Sequence, residues 1–95
     1  MSYCVYIIYS NKLDKFYIGE SFDLNKRLEK HKEGFYKSSF TTKAQDWILF
    51  FKIDCESKEQ SIKIEKHLKK MKSRKYLHDL KKYPEIIQKL KNKYN

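Results

Sequence analysis

The sequence predicts an α/β fold of the α+β type: a small, mainly antiparallel three-stranded sheet flanked by helices, in the order ββαβαα with a further helix at the end. Three observations lead there. Two short aromatic and β-branched runs stand close together near the N-terminus, a third follows a helical segment, and from Ser57 onward apolar residues recur at helical spacing. At 95 residues the chain can build one core but not two.

The first run, Tyr3 to Tyr9, lacks polar alternation, which suits a strand buried on both faces and therefore central in its sheet. Asn11 to Lys15 is polar enough to turn the chain, and Phe16-Tyr17-Ile18-Gly19 then reads as its hairpin partner, ended or bulged by the glycine. Asp23 suits the N-cap of a helix running to about Glu33, with Gly34 where a left-handed cap is expected. Leu24, Leu28 and His31 recur along that helix, and Arg27 borders their stripe. Phe35 to Gln45 has no clear period and reads as a loop able to lie against a substrate.

Trp47 to Ile53 is the third strand, and Ser57 to Gln60 fits a capping box for a second helix with Ile64, Leu68 and Met71 as its apolar stripe. Ser73 can cap a short third helix containing Leu77 and Leu80. Pro84 suits the first turn of a last helix carrying Ile87, Leu90 and Tyr94. Residues 1–82 read as the functional domain and 83–95 as a basic helical extension of it. The last stripe can pack on the domain or on a second copy, so a monomer or a weak homodimer is expected.

Composition narrows the class of partner. A hydrophobic fraction of 40%, with two glycines and one proline, excludes a low-complexity or disordered chain. The longest apolar run, Cys4 to Tyr9, is far short of the roughly 20 residues of a membrane span, and no basic start marks a signal peptide. A cytoplasmic protein with no membrane partner is expected, in which Cys4 and Cys55 are reduced, buried thiols. The net charge of +10 is uneven: residues 1–56 hold 9 Lys and Arg against 8 Asp and Glu, while residues 57–95 hold 13 against 4. Such a basic half attracts a phosphate backbone, which makes nucleic acid the leading partner; a lysine-rich surface kept for solubility is the bland alternative.

Cleaving a phosphodiester requires a group to hold water, a divalent cation, a positive group for the developing charge and a proton for the leaving oxygen. Tyr6 and Tyr17 on adjacent strands can face one cleft and hold water. Arg27 can pair bidentately with phosphate and stays charged, and His31, one turn on, exchanges a proton near neutral pH. Glu65, about 100° around its helix from Ile64, offers one carboxylate to Mg²⁺. Each has an ordinary structural alternative: core tyrosines, a surface arginine paired with Glu20, Asp23 or Glu33, a histidine closing an apolar stripe, and a Glu65–Lys69 helix pair. His67 and His78 show no ligand spacing with either cysteine and read as surface residues.

In order and spacing these residues resemble the GIY-YIG nuclease family, and its short stand-alone members in particular. The first motif is degenerate, as Cys4-Val5-Tyr6 or Val5-Tyr6-Ile7, and the second is intact as Tyr17-Ile18-Gly19. Leu24-x-x-Arg27-Leu28-x-x-His31-x-x-Gly34 is similar to the family's first helix, and Ile64-Glu65-Lys66 with Lys72-Ser73-Arg74-Lys75 extends the likeness over about residues 3 to 80. The resemblance implies that Tyr6, Tyr17, Arg27 and His31 are catalytic and that Glu65 binds one Mg²⁺ or Mn²⁺, with no organic cofactor. It departs from the family at Glu20, where some members have lysine, and in lacking the late asparagine after Glu65.

The function expected is a metal-dependent endonuclease hydrolysing DNA, with structured, nicked or single-stranded forms and RNA among the candidate substrates. Lys26, Lys69, Lys70, Lys72, Arg74 and Lys75 are the expected nucleic-acid contacts. The alternative is a nucleic-acid-binding module that keeps the fold and cuts weakly or not at all.

Overall fold

Seven consecutive residues, Cys4–Ser10, form strand β1, and their side chains alternate between two apolar environments. The computed structural model describes residues 3–32 and 46–95, except for the side chains of 30–32. β1 lies at the centre of an antiparallel sheet of order β2-β1-β3, with β2 at Lys15–Ser21 and β3 at Ile48–Asp54. The helices are α1 (Leu24–Lys32), α2 (Lys58–Met71), α3 (Arg74–Lys82) and α4 (Pro84–Lys93). The expected order of elements and antiparallel sheet are therefore present, with the third strand beginning after Trp47.

Val5 and Ile7 point into the larger core, where Ile53, Ile64, Leu68, Leu77, Leu80 and Leu90 are buried beneath α2, α3 and α4. Tyr6 and Ile8 point the other way, into a smaller cluster with Trp47 that Leu24 and Leu28 of α1 help to cover. A central strand flanked on both faces needs an unbroken apolar run, which is why Cys4 to Ile8 carries no polar residue.

Local capping follows from residue chemistry. The Ser57 hydroxyl accepts the Gln60 N–H at 3.1 Å, and the Gln60 carboxamide reaches back to the Glu56 N–H at 2.8 Å. This is a capping box displaced by one residue. Ser73 caps α3 through the Tyr76 N–H at 3.2 Å, the Asp23 carboxylate accepts the Lys26 N–H at 3.3 Å, and Pro84 begins α4. The turn between β1 and β2 closes with Asp14 at φ 52°, a left-handed position that aspartate tolerates better than most residues.

Three expectations change, and one open alternative is decided. Gly19 neither ends nor bulges its strand: β2 continues to Ser21 in unbroken register with β1, and the irregularity falls instead between Ile7 and Ile8 on the β3 side. Met71 is 45% exposed, because it ends α2 beyond the sheet, and Gln60 and Ser61 complete the buried stripe with Ile64 and Leu68. His67 is not a free surface residue. It is half-buried, with Nδ1 at 3.0 Å from the Tyr94 hydroxyl and Nε2 at 3.1 Å from the Tyr76 hydroxyl, so one imidazole ties α2 to α3 and to the end of α4. The last stripe packs on its own domain: Leu90 is buried in the larger core, with Ile87 and Tyr94 against it.

Cys4 and Cys55 are buried free thiols, and burial pushes the Cys55 thiol up to about 11. Gly34 and the loop from Phe35 to Gln45 lie outside the described residues. No helix among the described residues is long and apolar enough to cross a membrane.

Candidate active site

The hairpin register determines which groups meet on the smaller face. Tyr6 stands directly opposite Gly19, so the tyrosine of the first motif packs over the glycine of the second. A Cβ at position 19 would lie 2.5 Å from the Tyr6 hydroxyl oxygen and 2.6 Å from Cζ, inside any permitted contact. Glycine is thus required for steric room. Tyr6 is only 1% exposed, while Tyr17 is half-buried, and their ring centroids are 6.5 Å apart.

Trp47 supports the same tyrosine from β3's side, edge-on to Tyr17 at 6.5 Å. Its position is secured just upstream. The Asp46 carboxylate accepts the Ser10 hydroxyl at 2.6 Å and the Lys12 N–H at 2.9 Å, and those two bonds, the serine's first, hold its acidity above that of an ordinary carboxyl group. The segment entering β3 is therefore clamped to the hairpin.

Arg27 lies between Leu24 and Leu28 on α1, half-buried beside the residues that cover Tyr6. His31 is on the same helix, one turn further, and its side chain is outside the described set. On the other side of Tyr17, the Lys69 ammonium lies 6.0 Å from the ring centroid and donates to the Glu65 carboxylate at 2.8 Å. Tyr17 thus stands between Tyr6, on the smaller face, and Lys69, which pairs with Glu65 on α2. Glu20, on the strand after the second motif, accepts the Ser61 hydroxyl at 3.5 Å and helps hold α2 to β2.

Beside Tyr17 a cavity of about 440 Å³ opens between β2 and the α2–α3 corner, with Lys15, Lys69, Lys72 and Arg74 around Phe16 and Leu77. Lys72 turns that corner at φ 48°. Arg74 is fixed there by Asp14, donating to its carboxylate at 3.1 Å and also to its carbonyl, and it lies 5.5 Å over the Phe16 ring. The Tyr9 hydroxyl bonds the same carboxylate at 2.5 Å, and together, Tyr9 first, they hold Asp14 below its usual range. The remaining expected contacts are dispersed. Lys26 is exposed on α1, Lys75 pairs with Asp79 at 3.8 Å, and Lys70 lines a different groove, between α2 and α4.

For a divalent cation, the donor set near Tyr17 is the Glu65 carboxylate, whose side chain keeps 18% of its surface and already faces a cation. One partly open carboxylate suits Mg²⁺, which keeps several waters and takes further oxygens from phosphate. Among the described residues no three His, Cys, Asp or Glu side chains converge.

A two-motif tyrosine hairpin under a helix bearing arginine, with a carboxylate helix at its edge, defines a nuclease-type domain. The GIY-YIG catalytic domain profile matches residues 2–77, and the chain belongs to the GIY-YIG family. Comparison with curated proteins and with solved structures finds no match. Nucleases of this family generally depend on a divalent metal.

Two contributors were absent from the expected site: Gly19 as the seat of the Tyr6 ring, and Trp47 as the support of Tyr17. The first has a sequence signal, because counting outward from a four-residue turn pairs residue 6 with residue 19. Trp47 offers none beyond being the one tryptophan.

Proposed function

We propose that this protein is a metal-dependent endonuclease that hydrolyses phosphodiester bonds in DNA with a single Mg²⁺ or Mn²⁺. The observation that supports this reading is that the two motif tyrosines lie 6.5 Å apart on adjacent strands, and that Lys69 beside Tyr17 is the ion-pair partner of Glu65. The phenols of Tyr6 and Tyr17 orient water and a phosphate oxygen. Arg27 pairs with the phosphate and stabilises charge as it develops, and His31 hands a proton to the leaving oxygen. Glu65 holds the cation, which when bound supplies Lewis acidity and lowers the pKa of water. Lys69 neutralises Glu65 in this structure.

A second reading, a binding module with little cleavage, draws on the first motif, since neither Cys4-Val5-Tyr6 nor Val5-Tyr6-Ile7 reproduces glycine-isoleucine-tyrosine. One assay separates the two. Single-stranded, duplex and branched DNA, with RNA counterparts, are incubated with Mg²⁺, Mn²⁺ or chelator beside Arg27→Ala and Glu65→Ala. Metal-dependent cutting that both variants lose supports the enzyme. The Arg27→Ala rate should fall about 10³-fold, and a fall below roughly tenfold removes arginine from the mechanism. Binding without cutting in any metal supports the module.

A further inference from the structure

α2 carries lysines on both flanks, and the two flanks differ in how those charges are used. Lys69 and Lys72 face β2 and the tyrosine cleft, where Glu65 pairs with Lys69 and Asp14 with Arg74. Lys63, Lys66 and Lys70, spaced by three and four residues, share the other flank and line a groove of about 580 Å³ with Lys93 and Tyr94 from the end of α4. No carboxylate among the described residues lines this groove. Among the described residues none of its four lysines is in an ion pair.

The groove is held in shape by hydrogen bonds as well as by packing. His67 sits in its wall, and because both imidazole nitrogens are engaged, by Tyr94 and Tyr76, the end of α4 is held at a set distance from α2. The Lys93 ammonium lies 5.3 Å from the Tyr94 ring centroid. Burial, and then the charges of Lys93 and Lys70, lower the pKa of His67, so it stays neutral and can donate to one tyrosine while accepting from the other.

We infer that the α2–α4 groove is a second binding site, for the phosphate backbone of nucleic acid beyond the segment held in the tyrosine cleft. It rests on the nucleic-acid reading of the cleft and adds the length of substrate required. Lys63 to Lys70 spans roughly 10 Å of helix rise. That length equals about three 3.4 Å steps of one strand along a duplex axis, so it can follow more than one backbone phosphate and exceeds what a single free anion fills. The two sites flank a helix about 10 Å across, so a short oligonucleotide occupies the tyrosine cleft alone and a longer strand engages both.

The test is a triple variant, Lys63→Gln, Lys66→Gln and Lys93→Gln, with a Lys→Arg triple as its charge-preserving control and thermal melts to check the fold. Binding of a long and a very short single strand is measured over a range of salt. The glutamine triple should bind the long strand at least tenfold more weakly and flatten its salt slope by about 2, at roughly 0.7 for each phosphate left unneutralised. Short-strand binding should be unchanged, and the arginine triple should behave as wild type. An unchanged long-strand slope, or equal losses for both lengths, overturns the second site. Displacement of the long strand by millimolar inorganic phosphate at constant ionic strength also overturns it, in favour of a free-anion site. Cleavage is not part of this readout. A wild type that cuts nothing sinks the nuclease reading and leaves the groove standing, whereas one that cuts but binds both lengths alike does the reverse.

Discussion

The two faces of the sheet are built from one strand and do opposite things. Val5 and Ile7 join a core of nine buried residues roofed by three helices. Tyr6 and Ile8, interleaved with them, join a cluster in which, among the described residues, only Trp47 is also fully buried. The thick face supplies stability. Among the described residues the thin face buries fewer apolar groups, and two of them carry a hydroxyl and an indole N–H. A thin face also leaves Tyr17 partly open to solvent. The contrast teaches that a small domain can place its chemistry next to its core by alternating residues along a single strand.

Perturbing each face separately tests this division. The largest stability effect should come from the thick face: Leu80→Ala should cost about 2–5 kcal/mol and lower the melting temperature by roughly 10 °C or more, with the cleavage rate per folded molecule retained. Loss of rate in step with loss of stability would erase the distinction. On the thin face, Gly19→Ala should cost about 1–3 kcal/mol through the clash with Tyr6, yet lower the cleavage rate about 100-fold by moving that ring. Repeating it in a Tyr6→Leu background should recover much of the stability cost, which a denaturant-based double-mutant cycle reads directly.

Smaller effects sharpen the picture. Ser57→Ala and Ser73→Ala each remove an N-cap on the thick face and should cost about 1 kcal/mol in urea titrations without changing metal dependence. The smallest effect belongs to His67. Its folded pKa is below the ordinary 6.5, so the unfolded chain binds its proton more readily; stability is intact above 6.5 and falls as pH drops below it toward the folded value. His67→Gln should remove that portion of the slope between pH 7 and 5. A wild-type slope unchanged by the substitution would dissociate the Tyr76–His67–Tyr94 bridge from pH-dependent stability.

Much of the architecture was legible because it depends on short-range signals. Cys4 to Ile8 could only be a doubly buried strand, and Ser57, Ser73 and Pro84 mark helix starts by chemistry that acts within one turn. The serine caps were read correctly for that reason. His67 was misread for the opposite one: its partners are 9 and 27 residues away, and nothing local distinguishes a bridging histidine from a solvated one. Gly19 was read through its usual role as a strand breaker, when the reason for it lies across the hairpin.

The amino-acid sequence alone determined the order of the elements and the basic second half, since these follow from side-chain chemistry and local period. Only the tertiary structure decided which side chains meet. Packing seated Tyr6 on Gly19, brought Lys69 of α2 beside Tyr17, and sent Lys70 to the opposite flank. The physical reason is that contact across a sheet edge or between helices depends on strand register and on the angular position of each residue around its helix. A single residue of shift in either turns a side chain to another face.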